Sequence, residues 1–266
     1  MSDAMTARTR ALALAPLGPI IAAQAKTEFL RLIRVPAFTI PVILFPIMFF
    51  ALFGLPYAHM TVDGISAGAY TLASFGAYAV ISVALFSFGI TVANDRGQKT
   101  TVLMRATPLP PIAYLTGKVI ATLAFASIAV SALFIFGSIT AGVHLTPLAW
   151  IAMLARLLVG VFPFITLGFA IGYLAGPNSA VAILQLINLP MSFASGLFTP
   201  IETLPSYVRS IAQYLPAYHY GQLAWNAMGA PTEPLSTSIA WLAGFTAVFL
   251  FVAVRAYYRE ETKTFG

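Results

Sequence analysis

The chain has 266 residues, of which 59% are hydrophobic and 8% charged. A soluble globular domain carries roughly 25% charged residues, so this composition excludes an ordinary water-facing surface. The net charge of +6 tracks membrane topology instead of forming a nucleic-acid patch, and the absence of Cys excludes disulfides, thiolate metal sites and Cys nucleophiles.

A membrane span needs about 20 predominantly apolar residues to cross roughly 30 Å of hydrocarbon. No Asp, Glu, Lys or Arg occurs between Arg34 and Asp63, Asp63 and Asp95, Lys118 and Arg156, Arg156 and Glu202, or Glu233 and Arg255. Each gap is long enough for at least one helix.

Residues 1–19 read as a cytoplasmic tail, because the apolar run Ala11 to Leu17 is short and interrupted by Pro16, unlike a cleavable signal. Residues 20–34 pattern as an amphipathic helix lying on the membrane. Gln24, Thr27, Glu28, Arg31 and Arg34 share one face, and Ala22, Ala25, Phe29, Leu32 and Ile33 the other, with Lys26 out of pattern. The plainer reading is a basic flank to the first span, with Pro36 marking the corner in either case.

Gly, Pro and polar clusters then divide the chain into six spans at about 37–57, 69–93, 114–141, 149–174, 180–198 and 235–256, leaving 257–266 as a second tail. The connection 94–118 begins as a polar, charged turn, continues as a short helix with Val102, Leu103 and Met104 as apolar anchors, and stops at Pro108, Pro110 and Pro111. A charged helix of that kind suits docking against a partner. Gly117-Lys118 imitates the tail of a phosphate loop, but Ile112 and Val119 stand where Gly and Ser or Thr are required.

Arg156 lies in the fourth span beyond Trp150. Its side chain either snorkels to the interface or faces a translocation path. The fifth span carries Gln185, Asn188, Pro190 and Ser192, polar or helix-bending groups that are costly against lipid. They either hydrogen-bond between helices or line a path.

The segment from Ser195 to Gln222 is bounded by prolines, and irregular backbone at membrane depth is tolerated only where protein or water satisfies it. It therefore reads as a re-entrant hairpin packed in the bundle, or else as an interfacial loop anchored by Tyr207, Tyr214, Tyr218 and Tyr220. His59, His144 and His219 form no metal or acid–base signature and fall near the same outer boundary.

An even number of spans puts both termini on one side. Twelve of the fourteen Lys and Arg residues lie in the N-terminal segment, the 94–118 connection with Lys118, and the C-terminal end; the opposite connections hold only Arg209, and Arg156 sits within a span. Cationic loops stay in the cytoplasm, so both termini are expected there.

Two blocks carry a family resemblance. Asp95, Arg96, Thr100, Arg105, Thr107, Pro108 and Pro110 match the coupling loop of type-2 ATP-binding-cassette exporter permeases. Gly196, Pro200, Leu204, Pro205, Leu215 and Pro216 match the segment leaving that family's fifth span. The chain resembles this family over nearly its whole length and departs from it at Gly97, Lys99 and Val102, where the family usually has Glu, Gly and often a second Glu.

The resemblance implies an all-α membrane protein and a single transmembrane domain over 1–266 in the bacterial plasma (inner) membrane. It implies a homodimer with a separate ATPase docked on Asp95, Arg96, Thr100, Arg105, Thr107 and Pro108. It also implies a path for drugs, lipids, polyketides or lipid-linked glycans, in contact with membrane lipid; Gln185, Asn188, Ser192 and Arg156 are candidates to line it by their own polarity or charge within the spans. ATP and Mg would be held by the partner, with no cofactor or metal on this chain, no catalytic residue and no nucleic acid bound. A secondary transporter or channel is the first rival, but such proteins usually place ionisable groups within spans. A membrane enzyme is the second; it would need carboxylates or a Ser/His pair near the interface, for which Asp95 is the candidate acid.

Overall fold

The computed structural model describes residues 16–62, 65–98, 109–230 and 233–265. Thr100, Arg105, Thr107 and Pro108, with the anchors Val102 to Met104, lie outside the described residues. Apart from a two-residue hairpin, β1 (Thr61–Val62) against β2 (Ile65–Ser66), the described regular structure is helical.

Helix α1 (Leu17–Ile33) turns at Pro36 into α2 (Pro36–Phe49). The first span is not a plain helix: α2 carries Pro41 and Pro46 inside it and continues as a π turn over Phe50–Gly54 and a 3₁₀ turn over Leu55–Tyr57. Each internal proline lacks the N–H that would bond four residues back, so the ladder is weakened along this stretch.

Helix α3 (Ala67–Gly97) starts where Ser66 Oγ accepts from the Ala69 N–H at 3.3 Å, and it forms the centre of the molecule. Its residues from Leu72 to Gly89 are buried on every face, as a helix apolar all round must be. Small residues make this possible. On α6 (Phe162–Leu174), a Cβ on Gly168 would lie 2.8 Å from the Leu85 carbonyl oxygen, and one on Gly172 would lie 2.8 Å from the Val92 side chain. A Gly pair four residues apart thus lets two backbones meet, the device by which helices pack in lipid without a hydrophobic driving force.

Against α3 pack α4 (Pro111–Ala141), α5 (Pro147–Val159), α6, α7 (Pro177–Ala194) and α9 (Pro216–Ala227), while α8 (Ser206–Ala212) meets α7 and α10 (Leu235–Phe265) packs on α6 and α9. The expected fourth span is two helices, broken at Gly160 and Val161 ahead of Pro163. The last helix does not end near residue 256 but runs to Phe265, through the expected C-terminal tail.

Five helical segments among the described residues are long and apolar enough to cross a membrane: 38–57, 67–97, 111–141, 147–174 and 235–260. The sequence predicted six. The missing one is α7, whose 18 residues reach only about 27 Å and carry Asn178, Gln185 and Asn188. The helix expected on the membrane surface, α1, also departs from its predicted pattern. Glu28, assigned to its polar face, is 5% exposed and points into the bundle beside Ala25 and Leu32, because α1 packs along α4.

Candidate functional site

The two ends of the bundle differ in chemistry. At one end, α1, the C-terminal turn of α3 and the second turn of α4 converge on a closed ring of four alternating charges. Lys118 Nζ lies 2.8 Å from Glu28 Oε2 and 4.0 Å from Asp95 Oδ2. The Arg31 guanidinium lies 2.7 Å from Asp95 Oδ1 and 3.9 Å from Glu28 Oε1.

Hydroxyls complete the ring: Lys118 donates to Thr91 Oγ1 at 2.9 Å, and Tyr114 Oη donates to Asp95 Oδ2 at 3.0 Å. The Lys118 side chain is 2% exposed, so only this satisfied geometry makes its burial tolerable. Arg31 is 34% exposed. Burial works against its charge, but the hydrogen bond to Asp95 and the carboxylates of Asp95 and Glu28 outweigh it and raise its pKa above the ordinary value.

Gly117 lets α1 come this close, since a Cβ there would fall 2.8 Å from Gln24 Cβ and 3.0 Å from the Ala25 backbone nitrogen. Arg96, next in sequence to Asp95, turns the other way. It pairs with Glu260 of α10 at 2.7 Å and donates to the carbonyls of Gly172 and Ala175 at 2.8 and 3.2 Å, closing the last turn of α6. Asp95 is nearly inaccessible and Arg96 is engaged with α6 and α10, and both stand just before the 99–108 segment. α1, the bases of the 99–108 segment and the end of α10 share this end of the bundle.

Beside it, α2, α3 and α7 enclose a groove of about 400 Å³ lined by Val35, Phe38, Val42, Phe86, Val181 and Gln185, among others. Of the path candidates, Gln185 reaches this groove. Asn188 is fully buried and donates to Ser82 Oγ, a groove-lining residue, at 2.9 Å. Ser192 is buried a turn further on, 3.5 Å from Asn188 Oδ1.

The groove stops at Tyr78. Beyond it the rings of Phe49, Tyr78, Phe193 and Phe198 gather, with Phe198 5.1 Å from Tyr78 and 4.0 Å from Phe193. Phe198 is placed there by Gly196 (φ +79), which ends α7 in a Schellman motif: Leu197 N–H to Ser192 O and Gly196 N–H to Phe193 O, both 3.2 Å. The glycine is required because the turn is left-handed.

At this far end, the segment after Pro200 forms a 3₁₀ turn over Ile201–Thr203, then α8 and α9, with Leu204–Pro205 and Pro216 at the junctions. Helix α8 is largely exposed, whereas α9 is buried along Ala217 to Trp225 among α3, α5 and α10. Of the four tyrosines considered as surface anchors, Tyr207 and Tyr214 are exposed, but Tyr220 is fully buried and donates to the Leu157 carbonyl at the break between α5 and α6.

Arg156 is committed beside it, donating to Asn226 Oδ1 at 2.6 Å. It does not join Gln185, Asn188 and Ser192. His219 meets Glu233 at 2.7 Å, a pairing that no local sequence motif signals. The charge ring likewise has no local sequence motif, although a lysine inside a long apolar helix, as Lys118 is, is itself a signal.

A family model described as an ABC-2 family transporter protein matches residues 63–255. YvfS of Bacillus subtilis (strain 168), which bears the name of a transport permease, is 28% identical over 245 residues, covering 91% of this chain and 98% of its own length.

Proposed function

This chain belongs to the ABC-2 family of transporter proteins, and we propose that within that family it is the permease subunit of an ATP-driven exporter for amphipathic or lipid-like molecules. The observation that carries the substrate class is the groove. Its walls are aliphatic and aromatic, with Gln185, Ser82 and Tyr78 as the polar handles, the composition of a site that takes an apolar body and orients a polar group.

The groove lies in the half of the bundle nearer the charge ring and is closed beyond Tyr78 by the aromatic cluster. That is the form of a path loaded from the ring end and released past Phe198. The ring end is assigned to the cytoplasm of a bacterial cell on the bias of Lys and Arg. α1 lies at the membrane surface there, α7 serves as a short sixth crossing, and α9 enters the bundle as a re-entrant helix.

A separate ATPase, holding ATP and Mg, docks on the 95–108 segment, and a second permease copy completes the path. Because Arg96 is engaged internally, Arg105 is the cleaner probe of docking. The test is co-purification: the chain is expected to carry down an ATPase encoded beside it, and Arg105→Glu is expected to release that ATPase. Retention of the ATPase by Arg105→Glu would remove the docking assignment.

A further inference from the structure

The charge ring joins three pieces of chain that the sequence keeps apart. Asp95 stands just before the 99–108 segment, Lys118 stands after it, and Glu28 and Arg31 belong to α1. Each acid faces two bases and each base two acids. Lys118 is further held by Thr91 Oγ1 and by the Tyr114 ring, 5.1 Å from Nζ, and Gln24 donates to Glu28 Oε1 at 3.3 Å.

A ring of this kind behaves unlike a surface ion pair. Separating α1 from α3 and α4 would leave Lys118 without Glu28 and Asp95 without Arg31, in a place where Glu28, Asp95 and Lys118 are each nearly inaccessible to water. An unpaired charge there is far costlier than a solvated one, so small displacements are resisted until the whole ring gives way. The Gly117 contact adds close backbone packing on the same line.

From this we infer that the Glu28–Lys118–Asp95–Arg31 ring is a mechanical link that makes α1 move as one body with both roots of the 99–108 segment. Motion imposed on that segment by the docked ATPase is thereby delivered to the membrane surface as well as to α3 and α4. The four are positioning residues. None of them lines the groove, and the inference rests on the docking proposed above.

Alternation also dictates which variants are informative. A Glu28→Lys with Lys118→Glu exchange does not restore the ring, because residue 28 would then face Arg31 and residue 118 would face Asp95 with like charges. Glu28→Gln with Lys118→Met removes one acid and one base together, leaves the Arg31–Asp95 pair, and avoids a lone buried charge.

The test uses the full chain in lipid nanodiscs, with spin labels on cysteines introduced at exposed Lys26 (α1), Ile112 (α4) and Tyr207 (α8), and labelled chain diluted in unlabelled chain. In the chain alone, the 26–112 distance is a single narrow distribution, which the double neutral variant broadens. An equally narrow distribution in that variant overturns the link.

In the complex with its ATPase, trapping with Mg-ATP and vanadate shifts the 26–207 and 112–207 distances together. The double variant keeps the second shift and loses the first. A wild-type complex in which 112 moves and 26 does not also overturns the link. Failure of the ATPase to bind the wild-type chain counts against the docking proposal alone, and the chain-only measurement still decides the ring.

Discussion

Tyr220 Oη donates to the Leu157 carbonyl oxygen across 63 residues of sequence, at the break in the fourth span. Pro163 and the turn at Gly160 interrupt the helical ladder there, and α9 supplies the hydroxyl at the gap. A helix break inside an apolar bundle is stable only if the freed carbonyl finds a donor. Helix α9 is therefore packed within the bundle, while α8 ahead of it stays largely exposed.

Tyr220→Phe keeps the ring and removes only that donor. It is expected to lower stability by about 1–3 kcal/mol, the cost of an unsatisfied buried acceptor. Chemical denaturation of the purified chain in detergent checks this, with Tyr207→Phe on exposed α8 as the control that changes nothing.

Gly168→Leu forces a side chain against the Leu85 backbone, which cannot yield as a side-chain tip can. A loss of about 1–3 kcal/mol or more is expected from overpacking. At Gly244 nothing lies within 4 Å of the added carbon, so Gly244→Leu should be tolerated. Thermal unfolding of the two variants side by side separates close packing from a general intolerance of glycine replacement.

Removing one member of the charge ring should cost more than removing two. Lys118→Met leaves Glu28 without its 2.8 Å partner in a nearly inaccessible place, and a loss of about 3–5 kcal/mol is expected. Adding Glu28→Gln should return most of it. A double-mutant cycle on unfolding free energies reads the coupling directly; additive losses would mean that the two charges do not sense each other.

The prediction of six spans and the structure part at particular residues. Charge-free runs placed α3 and α4 within a few residues and α10 at its start, because a stretch such as Leu72 to Gly89 has no alternative to burial. The prolines and glycines marked the breaks, and Gly196, Pro205 and Pro216 stand at turns or helix starts. Two things were not legible. Periodicity put Glu28 on the polar face of α1, but a helix with two environments can turn that face inward when a buried cation waits on its neighbour; only the fold brings Lys118 to it. Likewise Asn188 announced a polar contact, while its partner Ser82 lies 106 positions away. The site candidates in the 99–108 segment fall outside the described residues, so Asp95 and Arg96 alone were located, both facing inward.

Closure of the groove by aromatic rings gives a functional expectation. Phe198→Ala deletes the ring shared by Phe49, Tyr78 and Phe193. Liposomes carrying the variant should leak a small amphiphilic dye that the wild-type chain retains. Equal retention would mean that the cluster is core packing with no part in closing the path.

The most direct measurement is ATP turnover by the purified complex of this chain and its ATPase, in lipid, against a panel of amphiphiles. Some members of the panel should raise turnover in the wild-type complex, and Val181→Trp, which fills the groove between α2 and α7, should abolish that rise while leaving the ATPase bound. A complex whose turnover ignores every amphiphile, or whose response survives Val181→Trp unchanged, would contradict a path running through this groove.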